Sequence, residues 1–165
     1  MAQTFAEPGE AGDVEEDHAE VDVSEETGLA IYKAFYTKIT SDATMQGLLG
    51  SPMRIYRAVN TPIDPDMPYL VHRLALGEPM LHGTHAYFLD VWDYGATPAR
   101  IDAAVDRLKI LLHEWRFVTA NDEASGLVEW FSGGDVPTDG PNVMHYATQW
   151  TIRFGAARDI TNIVR

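Results

Sequence analysis

The 165-residue chain has no cysteine, which removes disulfides, thiolate chemistry and cysteine-ligated zinc from consideration. It has no run of about 18 apolar residues, so no transmembrane helix is expected. Residues 1–23 contain neither a basic n-region nor an apolar h-region, so no secretory signal is expected there. Bases are scarce: 12 Lys and Arg stand against 25 Asp and Glu, for a net charge of −13. Without a basic footprint to neutralise phosphates, direct nucleic-acid binding is not expected. Serine is also sparse. Ser24, Ser41, Ser51, Ser125 and Ser132 each fall where a cap or turn would use the hydroxyl, and there is no G-x-S-x-G elbow. Phosphate-cradling glycine motifs are missing as well.

What is present supports one folded domain. Apolar residues make up 45% and aromatics 10% of the chain, enough for a real core. The charge is unevenly spread. Eight of the 25 acids, and no Lys or Arg, lie in residues 1–23, so the rest of the chain carries a formal charge of only −5. Segment 1–23 has little beyond Phe5 to bury and contains Pro8, Gly9 and Gly12. Its composition predicts a disordered acidic arm. A single domain is expected over 24–157, with a C-terminal tail over 158–165.

Hydrophobic periodicity orders the domain. Ser24 is a candidate cap for a helix to about residue 41, with Leu29, Tyr32, Phe35, Tyr36 and Ile39 at helical spacing. A second short helix is expected from Asp42, presenting Met45, Leu48 and Leu49. Strands follow over 53–59, 69–76 and 85–94. In the first long one Leu70, His72 and Leu74 share a face. In the next, Tyr87, Leu89 and Val91 face one way and Phe88, Asp90 and Trp92 the other. Thr97 as cap and Pro98 in the first turn then open an amphipathic helix. Its stripe is Ile101, Ala104, Val105, Leu108, Leu111, Leu112 and Trp115. A short strand over 126–131, a turn-rich connection over 132–141 and a long strand over 142–154 complete the pattern. The expected fold is α+β: a mainly antiparallel sheet of four to five strands with two helices packed on one face.

No residue set points to catalysis, and the chain is read as a non-enzyme without a cofactor or metal. The most tempting set, His72, His82, His85 and Asp90, would have to supply three or four oriented ligands, and His82 and His85 flank a loop rather than share a helical face. Asp90 and Asp93 flank Trp92, but nothing fixes the separation or raised pKa that paired carboxylates need. Trp115 and Trp150 lie on core stripes. Large residues on both faces of a sheet call for a second cover, which in an oligomer is another subunit.

Several strings taken together resemble the small tail-terminator (tail-completion) family of long-tailed bacteriophages. They are the short apolar helix from Asp42 to Gly50, the run Arg54-Ile55-Tyr56-Arg57-Ala58-Val59, and a proline-rich loop into Pro68-Tyr69-Leu70-Val71. The strand Tyr87-Phe88-Leu89-Asp90-Val91-Trp92 leads to the amphipathic helix, and a long strand ends the domain. The resemblance covers roughly residues 25–157 and is structural rather than catalytic. It implies a virion protein of the tail–neck region, assembled in the host cytoplasm as a homo-oligomeric, hexameric ring. Such a ring would cap the tail tube, stop its polymerisation and form the joint to head–tail connector proteins. Met80, Leu81, His82, Trp92, Trp130 and Phe131 are the candidate contacts with neighbouring subunits or the tube protein. Rival expectations are another neck or head-completion role, a small metal- or ligand-binding enzyme built on the histidine set, and a monomeric module acting through its acidic arm.

Overall fold

The computed structural model describes residues 25–80, 84–95, 97–119 and 124–155. The expected acidic arm and C-terminal tail lie outside them. Helix α1 (Glu25–Thr40) is followed by α2 (Ala43–Leu49), the short strand β1 (Ile55–Arg57) and a single 3-10 turn. Strands β2 (Tyr69–Met80) and β3 (Thr84–Tyr94) come next. Helix α3 (Ala99–Leu112) precedes β4 (Trp115–Val118), β5 (Ser125–Val136) and β6 (Val143–Gly155). The α+β class is as expected, but the described residues form six strands and three helices.

The strands make one sheet in the order β1-β2-β3-β6-β5-β4, antiparallel except for the parallel β1–β2 pair. One face is covered by the helices. Ile31, Phe35 and Ile39 of α1, Met45 and Leu49 of α2, and Ile101, Ala104, Val105, Leu108 and Leu112 of α3 are buried against Leu70, Tyr87, Leu89, Val91, Val128, Trp150 and Ile152 of the sheet. Phe35 is central: it stacks on Tyr87 of β3 (4.0 Å) and meets Trp115 and Phe117 of β4 edge-on. A sheet whose third and sixth spatial positions both touch one helix residue must curl around that helix.

Helix ends are set by local chemistry. Asp42 caps α2 by accepting the Met45 N–H at 2.8 Å, and also receives Nε (3.1 Å) and Nη2 (2.6 Å) of Arg107 on α3. This ties α2 to α3. Gly50, at φ +92°, ends α2 in a conformation that side chains rarely adopt.

Several boundaries differ from expectation. Strand β1 keeps only three residues of the expected 53–59, because the 3-10 turn takes Ala58–Asn60, and β2 runs on past the expected end at 76 to Met80, where it pairs with Thr84. Pro98 rather than Thr97 is the cap of α3, with no side-chain capping bond. Trp115 leaves the helix. The chain reverses at Glu114 in the left-handed region (φ 60°), and Trp115 opens a strand that the stripe had concealed. Strand β5 runs on through 132–136, expected as connection, because a bulge at Phe131 restores its register with β6.

Candidate interface on the open sheet face

Strand alternation sends half the sheet's side chains to the face that the described helices do not cover. Cross-strand register aligns them in rows. Tyr69 pairs with Trp92, Trp92 with His145, and His145 with Val136. The first three rings stack: Tyr69 on Trp92 at 5.9 Å and 9°, and Trp92 on His145 at 3.9 Å and 10°. Tyr56 of β1 adds an edge contact to Tyr69 at 5.9 Å. An aromatic ladder thus crosses four strands near the end of the sheet where β3 turns towards α3. Burial, with Asp64 and Tyr56 nearby, pushes the Tyr69 hydroxyl above its usual pKa, so it is a neutral ring throughout the physiological range.

Asp90 approaches the ladder from the next row, its carboxylate 3.5 Å from Nε2 of His145. That separation and orientation make a charge contact available to a protonated ring but no hydrogen bond, and Nε2 is otherwise a buried atom without a partner. Further along the face, the Arg73 guanidinium lies 4.3 Å over Phe88. Arg153 reaches Glu129 at 3.5 Å, both side chains well exposed. Arg116 of β4 is exposed on the same face, aligned through Leu127 with Arg153.

The histidines and acids of the metal hypothesis do not converge. His72 lies on the helix-covered face, where Nδ1 is 2.7 Å from the Tyr87 hydroxyl and the ring meets Tyr32 edge-on. Burial, helped by the nearby charge of Arg57, pushes its pKa down to about 4. His85 is on the same face against Phe154, and burial lowers its pKa too. Asp90 points to the opposite face. Among the described residues no three His, Asp or Glu side chains gather as metal ligands would. Asp93 is not Asp90's partner either: it is buried, accepting from the Tyr94 N–H at 2.7 Å and from Arg100 through both Nε (2.7 Å) and Nη2. That pair fastens the end of β3 to the start of α3.

The six candidate contact residues fall in different places. Trp92 is the centre of the aromatic ladder. Trp130 sits on the helix-covered side, edge-on to Trp150 at 5.0 Å and beneath Lys109 at 4.7 Å, while its backbone N–H donates to Nδ1 of His113. Phe131, the bulged residue, is 55% exposed at the base of the projecting hairpin. Met80 ends β2. Leu81 and His82 lie outside the described residues. Sequence reasoning missed Tyr69 and His145 as partners of Trp92. Only the register of β2, β3 and β6 brings these three residues into one row.

No protein-family model matches this chain, and no curated protein does. Solved structures do share its fold. One is a chain in the virion of a native gene transfer agent particle. At 16% sequence identity, the likeness covers 79% of this chain and 98% of that one, with a TM-score of 0.62. A second solved chain is 13% identical over 78% of this chain and 96% of its own length, with a TM-score of 0.51. At such identities the likeness establishes the fold.

Proposed function

We propose that this chain is a structural virion protein of a phage-like particle, and more finely a tail-terminator subunit. In this reading it joins a hexameric ring that caps the tail tube, halts addition of further tube subunits and presents a surface to connector proteins. The observation that carries the reading is the fold shared with essentially the whole length of a gene transfer agent virion chain. The open sheet face supports it. Tyr69, Trp92 and His145 form a rigid aromatic row of the kind favoured at interface centres. The mechanism is steric: a closed ring leaves no equivalent surface for the next subunit. No catalysis is part of it.

The test is assembly. Purified full-length protein, alone and mixed with tail tubes, is imaged by electron microscopy. The reading requires closed rings, or a cap at one end of each tube. Tubes that keep growing, with the protein neither ringed nor bound to their ends, would refute it.

A further inference from the structure

The helix-covered side and the open side of the sheet meet at the outer edge of β2. β1 pairs with β2 only from Leu70 to His72. Just beyond, the Leu74 N–H points away from β3 and donates to the Tyr32 hydroxyl at 2.7 Å. Helix α1 therefore fastens to this edge, and Glu25, its first residue, lies two turns before Tyr32. Arg73, adjacent to Leu74, projects from the same edge strand onto the open face and is exposed. Phe88 lies beneath its guanidinium, Arg153 is two strands further on, and Arg116 lies beyond that. Against these three exposed arginines the described residues of the face offer Glu129, spanned by a long contact to Arg153, and Asp90, set against His145, with Asp64 near Tyr69.

The chain that precedes α1 has the complementary chemistry. Residues 1–24 hold eight acids, one histidine (His18) and no Lys or Arg, with Phe5, Val14, Val21 and Val23 interspersed. We propose that this segment turns around the β2 edge of its own subunit and lies on the arginine-bearing part of the open face, its carboxylates against Arg73, Arg153 and Arg116. Reach is ample: neighbouring strands are about 4.8 Å apart, whereas 24 extended residues span up to about 80 Å. Exposed charge pairs are individually weak, so the docking is shallow, salt-sensitive and displaceable. If the open face is also the assembly surface, as the proposed function has it, the segment competes with assembly there. The docking itself does not depend on that.

The absence of cysteine gives a clean test in the full-length chain. A nitroxide on Glu16→Cys is the single label, and the isotope-labelled protein is observed at low concentration. The expected result is loss of amide signal at Arg73, Phe88 and Thr151 but not at Asp106 or Ile110 on α3. The signal should return in 1 M salt, where the screening length is about 3 Å, and in the Arg73→Glu variant. Loss centred on the helices, or no selective loss, overturns the proposal. So does loss seen only when nitroxide-bearing and isotope-labelled chains are mixed, since the segment would then belong to a neighbour. None of these outcomes depends on tubes or rings, so failure here is separable from failure of the assembly reading.

Discussion

Trp92 and His145 lie face to face across the β3–β6 pair, 3.9 Å apart and within 10° of parallel, on the side of the sheet away from the described helices. Already in the single chain Tyr69 is buried and the His145 side chain only 12% exposed, with Trp92 half-buried between them, so the row is held rigid before any partner arrives. An assembling subunit gains a rigid, low-entropy anchor. Trp92→Ala is therefore expected to separate folding from assembly. Thermal unfolding should show a loss of about 1–3 kcal/mol, from two stacking contacts and a half-buried indole, while ring or tube-end binding is abolished. Trp150→Ala, on the fully buried face, should instead cost about 3–5 kcal/mol and reduce assembly only through unfolding. Equal stability losses for the two variants would count against the separation of faces.

Acid should weaken the fold through His72. Its pKa falls from 6.5 to about 4 in the folded chain, chiefly by burial, so the unfolded chain binds more protons between those values. Stability is then fully present above about pH 6.5 and declines towards pH 4, by at most about 3 kcal/mol for a shift of this size. His85, also depressed by burial, acts in the same direction. Denaturant midpoints across this range should show the slope, and His72→Gln should flatten it.

Asp42 links two helices and caps one of them. Arg107, chiefly through its hydrogen bonds, holds the Asp42 carboxyl below its ordinary 3.8. The contribution is present above that value and lost as pH falls through the lower folded value, so it adds an acid limb beneath the histidine one. Asp42→Ala should cost about 1–2 kcal/mol at neutral pH, and Arg107→Ala less, since the cap survives. Chemical denaturation of the two variants distinguishes cap from ion pair.

Two glycines in β5 are held by close neighbours. A Cβ on Gly126 would lie 2.9 Å from the Arg153 carbonyl oxygen and 3.0 Å from the Phe117 ring. One on Gly133 would lie 2.6 Å from the Trp130 indole and 2.9 Å from Tyr146. Gly126→Ala meets backbone, which cannot step aside, and should cost about 1–3 kcal/mol. Gly133→Ala displaces Trp130 from its seat near Trp150 and should show as a change in tryptophan fluorescence. Gly134→Ala, with nothing within 4 Å, is the control.

Much of this fold was legible in the sequence because it follows from period. The stripe Ile101 to Leu112 and the alternation through Tyr87, Leu89 and Val91 each match a buried face. What escaped did so for identifiable reasons. Trp115 continues the helical spacing by coincidence, and the reversal before it is made by Glu114, a residue with no preference for the left-handed region. Residues 132–136 carry glycines that signal a turn, yet they pair with β6, and at Gly133 the missing side chain leaves room for the Trp130 and Tyr146 rings. The candidate interface was half legible. Trp92 stood out by its chemistry, whereas Tyr69 and His145 became its partners only through a register that one-dimensional patterns do not encode.

Absolute mass in solution, by light scattering across a concentration series with and without tail tubes, tests the central claim most directly. The account predicts a closed multiple of about six subunits, free or at tube ends, that is lost in Trp92→Ala. A single-chain mass under every condition, tubes included, would contradict it.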